Sequence, residues 1–272
     1  MVKWIEFFVE EHGLNICFVG DLVASPGRRA LQKQLPTLLK SNSIDFCVVN
    51  AENAVHGLGI SNRVISELGE LGVDAVTLGN HTFSYKDFAR QADSFSHVVV
   101  PANVSEKWPG NRYCIIEKKG IKLAVLNLLG QVSMGITCDS PFYKADSVLK
   151  ELEKVNPDAI LVDFHAEATS EKQALGYYLD GRVSMVVGTH THVQTADSRV
   201  LQHGTGYITD AGMTGCVDSV IGMEIETSLT RFVDKMPAKY IPAEGEACLC
   251  GVIAEIENNG RCKKIDRFCV YE

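Results

Sequence analysis

The sequence lacks an excess of positive charge, a long apolar run and the cysteine spacing of common metal and redox motifs. Its 26 Lys and Arg residues are outnumbered by 34 Asp and Glu residues, which gives a formal net charge of −8. Broad binding to nucleic acid or to an anionic membrane surface needs basic faces and is therefore not expected. No stretch reaches the ~18 apolar residues that a membrane-spanning helix requires. We expect a small anionic substrate, whose charge is met locally by a few basic side chains or by bound cations.

The nine cysteines are odd in number, and no two of them form a Cys-x-x-Cys pair. Cys17 and Cys47 alternate with apolar residues in predicted strands, so we interpret the cysteines as buried thiols of a reducing cytoplasm. Cys248 and Cys250 offer half of a zinc site, but the sequence shows no second half. A cytoplasmic location is the resulting expectation.

A dinucleotide-binding fingerprint is also missing, because Asn62 stands where Gly57 and Gly59 would need a third glycine. No linker, repeat or low-complexity segment divides the chain, so residues 14–272 are predicted to form a single domain. Residues 1–13 are predicted to be an N-terminal extension rather than a signal peptide, because acidic residues such as Glu6 and Glu10 interrupt their apolar residues. Whether the chain forms a homo-oligomer stays open.

Short apolar runs alternate with helix-like segments in the first half, which indicates a parallel sheet with helical crossovers. Later hairpins indicate that the sheet continues as a mixed sheet or that a second sheet follows. The strands are predicted at residues 14–19, 46–50, 75–78, 98–100, 113–117, 121–128, 159–164, 184–187, 199–201, 206–209, 247–257 and 264–271. The helices are predicted at residues 28–40, 61–71, 144–155 and 169–179.

Polar side chains follow five of the predicted strands, and ligands of open α/β sheets bind beyond the carboxyl ends of the strands. Taken singly, each residue has another explanation: Asp21 as a helix N-cap, Asn53 and Asn80 as turn formers, and His165 as a buried histidine with structural partners. A packing role would not place all of them on one rim, so we predict a site there. Its candidate residues are Asp21, Glu52, Asn53, Asn80, His81, His165, His190 and His192.

Carboxylate, amide and imidazole ligands together suit two divalent ions, with Fe²⁺ or Mn²⁺ favoured and Zn²⁺ or Mg²⁺ as alternatives. Such a centre needs one bridging carboxylate, and Glu52 is our candidate. Two cations about 3.5–4 Å apart can hold a hydroxide between them and clamp a phosphoryl group. The residues therefore predict phosphoester hydrolysis.

At these positions the chain resembles the calcineurin-like metallophosphoesterases, and most closely their YmdB-like branch of 2′,3′-cyclic-nucleotide 2′-phosphodiesterases. The resemblance covers about residues 15–226 and, more loosely, the remainder. The matching segments are GD (20–21), DLVASPGR (21–28), NAENA (50–54), GNH (79–81), FHAEATSEK (164–172), GTHTH (188–192) and DAGMTG (210–215).

Three positions depart from the broad superfamily. Its first motif is usually Asp-x-His, but Val23 occupies the histidine position here; Glu52 replaces the usual bridging Asp, and Thr82 follows Gly-Asn-His in place of Asp. The lost imidazole needs a substitute, for which the amide oxygen of Asn53 is the natural candidate. Resemblance to the YmdB-like branch implies the same arrangement.

That resemblance implies a four-layer α/β/β/α sandwich with two packed mixed β-sheets. It assigns Asp21, Glu52, Asn53 and His192 to one metal, and Glu52, Asn80, His165 and His190 to the other. His81 is implied as the general acid, with orientation of a neighbouring group as the alternative, while Asp163 and Glu167 are expected to orient ligand imidazoles. The implied reaction is hydrolysis of 2′,3′-cyclic nucleotides at the 2′ ester by a metal-bridged hydroxide. The alternatives are another phosphoester substrate (a 3′,5′-cyclic nucleotide, an RNA end or a phosphomonoester) and a nucleotide-binding regulator.

Overall fold

The computed structural model describes residues 13–272. All but the last residue of the predicted N-terminal extension lie outside this range, and the single-domain assignment stays a prediction. No helix in the described range is long and apolar enough to cross a membrane.

The first sheet has eight strands in the order β2-β12-β13-β1-β3-β4-β5, with β14 also paired to β13. Strands β1, β3, β4 and β5 run parallel, whereas β13 is antiparallel to β1, β12 and β14. The strands are β1 Leu14–Val19, β2 Asp21–Leu22, β3 Phe46–Asn50, β4 Ala75–Thr77, β5 Val98–Val99, β12 Met213–Cys216, β13 Ala247–Ile256 and β14 Cys262–Tyr271.

The second sheet has six strands in the order β10-β11-β9-β8-β7-β6. Its centre, β7 to β9 with β11, is parallel, and its edge strands β6 and β10 are antiparallel to their neighbours. The strands are β6 Tyr113–Lys118, β7 Ile121–Leu129, β8 Ala159–His165, β9 Met185–Thr189, β10 Arg199–Val200 and β11 Gly206–Ile208.

Six α-helices accompany the sheets within residues 13–272, and the apolar residues divide among layers because successive strand side chains point to opposite faces. In β1, Cys17 packs with the helix-side core and Phe18 with the core between the sheets. A third core joins the second sheet to α4 and α5. Two mixed sheets packed face to face confirm the predicted fold class. The helices are α1 Ala24–Ser41, α2 Asn62–Glu70, α3 Lys86–Ala89, α4 Pro141–Leu152, α5 Thr169–Tyr178 and α6 Ile225–Phe232.

Two helices begin earlier in the sequence than predicted. Helix α1 begins at Ala24 instead of residue 28, and α4 begins at Pro141 instead of residue 144. Proline is favoured in the first turn because its missing N–H would be unbonded there, so Pro26 and Pro141 lie inside the helices they were expected to precede. The short strands β2 and β12 and the helix α6 were not predicted from the sequence.

Gly188, in β9, lies against the backbone of the neighbouring segment. A Cβ atom at this position would stand 1.7 Å from the carbonyl oxygen of Thr209, which cannot rotate away. We expect Gly188→Ala to destabilise the fold by about 3 kcal/mol or more. Gly69→Ala is the matched control: it lies in α2 with nothing within 4 Å of the new Cβ, so about 0.5–1 kcal/mol of stabilisation is expected. Urea unfolding measures both, and similar midpoints for the two variants would contradict this packing argument.

Candidate metal centre

The eight predicted site residues come together at the carboxyl ends of β1, β3, β4, β8 and β9. Asp21 lies in β2, directly beyond β1, and His165 is the last residue of β8. The others follow β3, β4 and β9. Contacts of 4.0 Å or less connect all eight residues into one cluster that spans both sheets. Their assignment as metal ligands, and that of His81 as an acid, stays a prediction.

His165 lies at the centre of one half of this cluster. Its Nε2 atom is 2.9 Å from Glu52 Oε1, 3.0 Å from Asn80 Oδ1 and 3.1 Å from His190 Nδ1. An N–H at this position can donate a good hydrogen bond to only one of these three atoms. The site therefore has more lone-pair atoms than hydrogen atoms to satisfy them. Glu52, His165 and His190 can each place a ligand atom within 4.8 Å of the others. This half of the cluster fits a divalent cation.

Gly79 allows these ligands to approach the end of β4. A Cβ atom on this residue would lie 2.3 Å from Glu52 Oε2 and 2.5 Å from His165 Nε2. The glycine of the Gly-Asn-His segment is therefore required by the space that the glutamate and imidazole occupy. Any side chain there would push both ligand candidates apart.

Asp21, Asn53 and His192 form the other half of the cluster. His192 Nε2 lies 3.1 Å from Asn53 Nδ2 and 4.0 Å from Asp21 Oδ1, while its Nδ1 is 2.9 Å from the carbonyl oxygen of Ile221. An N–H on Nδ1 that donates to this carbonyl leaves the Nε2 lone pair free to bind a cation. The Asn53 amide nitrogen faces His192 and Glu52, so half a turn of the amide is needed to present its oxygen.

Asp21 supplies a direct test of whether a cation fits. Its Oδ2 accepts a hydrogen bond from the backbone N–H of His190 at 3.0 Å, but its buried Oδ1 has no hydrogen-bond partner within the described residues. Burial raises the pKa of Asp21 to about 6, against the lowering effect of His192 and His165. An unpartnered buried carboxylate oxygen is costly, and a cation beside it would remove that cost.

The charges of the cluster are set by burial and by close neighbours. Burial alone would raise the pKa of Glu52, but His165 and His81 outweigh it and lower the pKa to about 2. Burial would lower the pKa of His165, yet Glu52, Asp21 and Asp163 raise it to about 9. Burial and the nearby His165 lower the pKa of His190 to about 3. Glu52 is therefore anionic and His190 neutral at pH 7, which are the protonation states that bind metals, whereas His165 has to release a proton when a cation binds.

Asp163 orients His165 indirectly, through Thr189. The Asp163 carboxylate accepts hydrogen bonds from Thr189 Oγ1 at 2.6 Å, Thr77 Oγ1 at 2.5 Å and Asn50 Nδ2 at 2.9 Å. Thr189 Oγ1 is also 2.9 Å from His165 Nδ1. Because Asn50 and Thr77 belong to the first sheet and Asp163 and Thr189 to the second, this buried network fixes the position of one sheet relative to the other. The imidazole is held where the two sheets meet.

Glu167 contacts a ligand candidate directly. Its Oε2 lies 3.2 Å from His190 Nε2, and its side chain is half exposed. A carboxylate on the outer nitrogen of a ligand imidazole selects the tautomer whose other nitrogen can bind a cation. The expected orienting role of Glu167 thus has a geometric basis.

Lys172 and Asp210 hold the segment that carries His190 and His192. Neither residue was predicted from the sequence to belong to the site. Asp210 Oδ2 accepts hydrogen bonds from Lys172 Nζ at 2.7 Å and from Thr191 N and Oγ1 at 3.1 and 2.8 Å. His190 (φ 99°) and His192 (φ 65°) both have left-handed backbone conformations, which are strained for residues other than glycine. The buried pair therefore stabilises a strained loop. The sequence signal was their presence in the FHAEATSEK and DAGMTG segments.

Breaking this pair should destabilise the protein and weaken metal retention. We expect Lys172→Met to cost about 3–5 kcal/mol, because it leaves the Asp210 carboxylate buried without its cation. The double variant Lys172→Met, Asp210→Asn should recover part of this loss, because no uncompensated charge remains. Thermal unfolding and metal content of both variants test the prediction. A single variant as stable as the native chain would refute it.

His81 lies at the rim, next to Glu52 and Asn80. Its backbone N–H donates to Glu52 Oε2 at 3.0 Å, and its Nε2 lies 3.2 Å from Asn80 Nδ2. Burial, together with the nearby His165 and His192, lowers its pKa, while Glu52 acts in the opposite sense. The imidazole is only partly buried, so a ligand in the cluster can reach it.

Known proteins are similar to this chain in both sequence and fold. A family model described as "YmdB-like protein" matches residues 17–268. The 2′,3′-cyclic-nucleotide 2′-phosphodiesterase of Bacillus subtilis (strain 168) is 44% identical over 258 residues, which cover 94% of this chain and 97% of that protein.

Two solved structures superpose closely. A hypothetical protein from Thermus thermophilus gives a TM-score of 0.90 at 39% identity, covering 95% of this chain and 100% of its own. A novel phosphatase from Mycoplasma pneumoniae gives 0.90 at 33% identity, covering 96% and 95%. The family match and these relatives extend over the strands that carry the candidate metal centre. The chain belongs to the YmdB-like protein family.

Proposed function

We propose that this chain is a dinuclear metal-dependent phosphodiesterase that hydrolyses 2′,3′-cyclic nucleotides at the 2′ ester and leaves 3′-nucleotides. The proposal rests on the cluster, in which two groups of candidate ligands meet at Glu52. On one side, an oxygen of Asp21 has no hydrogen-bond partner among the described residues; on the other, three lone-pair atoms surround His165 Nε2. The name and the identity of the Bacillus subtilis relative support this choice of substrate.

The proposed ligands form two sets, which correspond to the two halves of the cluster. Asp21, Asn53 and His192 would hold the first cation, and Asn80, His165 and His190 the second. Glu52 would serve both, since its Oε1 is 3.3 Å from Asn53 Nδ2 and 2.9 Å from His165 Nε2. This mixture of oxygen and nitrogen donors favours Fe²⁺ or Mn²⁺, with Zn²⁺ or Mg²⁺ as alternatives.

When bound, the two cations would supply a water molecule of lowered pKa and neutralise charge on the phosphoryl oxygens. The carboxylates of Glu52 and Asp21 would hold the cations at the rim, and the networks through Asp163 and Asp210 keep the imidazoles in place. The oxygen of water adds to phosphorus, and the bond from phosphorus to O2′ breaks.

His81 would give its proton to the departing O2′ atom. An alkoxide is a poor leaving group, so an imidazolium within reach lowers the barrier. His81 suits this role because it is partly exposed at the rim while its backbone is fixed by the hydrogen bond to Glu52. The products are then a 3′-phosphate and a free 2′-hydroxyl group.

A side-by-side hydrolysis panel tests the substrate. With Mn²⁺ or Fe²⁺ supplied, kcat/KM for 2′,3′-cyclic AMP should exceed that for 3′,5′-cyclic AMP, an RNA 3′-phosphate end and a phosphomonoester by about tenfold or more. Chromatography of the product should give 3′-AMP and not 2′-AMP. No hydrolysis of 2′,3′-cyclic AMP with either metal would overturn the proposal, and preference for another panel member would replace the substrate but keep the metal centre.

Replacement of His190 and replacement of His192 should empty the corresponding metal sites to different extents. His192 is the only imidazole of its proposed set because Val23 stands where the superfamily usually has histidine, whereas His190 shares its set with His165. We therefore expect His192→Ala to lose its cation more completely than His190→Ala loses the other. Metal analysis of the purified variants measures this, with His203→Ala, a surface histidine paired to Asp180, as the control. Equal losses from the two variants would contradict the assignment.

A further inference from the structure

Three thiols meet on one face of the β13–β14 hairpin, apart from the cluster that contains Glu52. Cys248 and Cys250 are two residues apart on β13, so their side chains point to the same face. Cys269 lies directly opposite Cys250 on β14. The Cys250 sulfur is 3.6 Å from that of Cys248 and 3.0 Å from that of Cys269, and all three lie within 4.8 Å of one another.

The third thiol is what the sequence does not reveal. Cys248 and Cys250 alone offer half of a zinc site without a second half, but strand pairing brings in Cys269 from 19 residues away. Within residues 13–272, no histidine or carboxylate joins this group. Its donors are therefore sulfur atoms alone, unlike the oxygen and nitrogen donors around His165.

We propose that Cys248, Cys250 and Cys269 form a second metal site, which binds one thiophilic cation, Zn²⁺ or Cu⁺. Thiolate ligands select these ions over Mn²⁺ and Fe²⁺. Metal–sulfur bonds of ~2.3 Å set sulfur atoms roughly 3.8 Å apart in a tetrahedral arrangement, close to the 3.6 Å between Cys248 and Cys250. Cys269 has to move outward by less than an ångström, and it is the exposed member. A water molecule can complete the shell of Zn²⁺, whereas Cu⁺ accepts three ligands.

The site is accessible from solvent. Cys248 and Cys250 are buried and Cys269 is exposed, so a cation can arrive from solvent and end against the two inner sulfurs. The thiolate is the form that binds metals, so binding of a cation would release the thiol protons.

Cadmium titration of the full-length, reduced and chelator-treated chain tests the site. Cd²⁺ bound to thiolates absorbs in the near ultraviolet by sulfur-to-metal charge transfer, which oxygen and nitrogen ligands at the phosphoesterase centre do not produce. We expect the band to saturate at one Cd²⁺ per chain. Added Zn²⁺ or Cu⁺ should release this Cd²⁺, which is measured as free cadmium after ultrafiltration because Cu⁺ thiolates absorb in the same region. The ion that displaces cadmium at the lower concentration identifies the preferred cation.

Cys269→Ser and Cys250→Ser should each weaken cadmium binding on the order of 100-fold, because one of three thiolates is lost. Cys114→Ser, which removes a buried thiol of the other sheet, should leave it unchanged. Because Cys269 is exposed, Cys269→Ser keeps the test valid if the substitution of the buried Cys250 disrupts folding. Absence of the band, its survival in both variants, or failure of both ions to displace cadmium would overturn the proposal. A mass lower by two hydrogens that persists under reductant, without cadmium binding, would instead show a Cys250–Cys269 disulfide and overturn it as well.

Discussion

Glu52→Gln is expected to strip both cations from the chain and to lower kcat/KM for 2′,3′-cyclic AMP roughly a thousandfold, about 4 kcal/mol of transition-state stabilisation. Glu52 is the carboxylate that lies between the two ligand groups: one oxygen faces Asn53 and His165, and the other accepts the N–H of His81. Its low pKa means that it carries full negative charge at pH 7. An amide of the same shape keeps the packing and removes that charge.

Glu67→Gln provides the matched control, since it makes the same change on the surface of α2, where Glu67 forms an ion pair with Arg63. It should alter neither metal content nor rate. Circular dichroism of Glu52→Gln should match that of the native chain, which separates loss of metal from loss of fold. A folded Glu52→Gln variant that retains two metals would contradict a bridging role.

His81→Ala is expected to lower kcat for 2′,3′-cyclic AMP by about 10²–10⁴-fold, the usual contribution of a general acid, while metal content stays at the native level. The effect should depend on the leaving group. A nitrophenyl phosphodiester releases a stable phenolate that needs little protonation, so its hydrolysis should fall by less than about tenfold. Parallel rate measurements with the two substrates test this difference.

His97→Ala is the control for His81→Ala. His97 is another partly buried histidine whose pKa burial lowers, but it packs against Phe95 and not at the rim. It should leave both rates unchanged. Equal losses for the two substrates in His81→Ala would assign His81 to orienting Asn80 or Glu52 instead of to proton transfer.

Much of the fold could be predicted because its local signals agree with its tertiary structure. The strands Leu14–Val19 and Phe46–Asn50 have the predicted bounds, since predominantly apolar runs of this length suit a strand buried on both faces. The rim residues were found for a related reason: parallel strands end at the same edge, so side chains that follow them along the chain meet in space.

What could not be predicted depends on contacts between distant segments. The strand Met213–Cys216 has little apolar character of its own and becomes a strand through pairing with Asp21–Leu22 and with β13. From the sequence alone, Lys172 is expected to be a solvated helix residue. It is buried because it pairs with Asp210, which is 38 residues away in sequence but 2.7 Å away in space. Cys269 likewise joins Cys250 through strand register alone.

The most direct measurement of the central claim is the metal content of the native chain, purified without added metal and compared with His192→Ala. The proposed centre predicts two divalent cations per native chain and about one in His192→Ala, because that variant loses the only imidazole of the proposed set that contains Asp21 and Asn53. Fewer than two metals in the native chain, unchanged in the variant, would contradict a dinuclear centre built on Glu52.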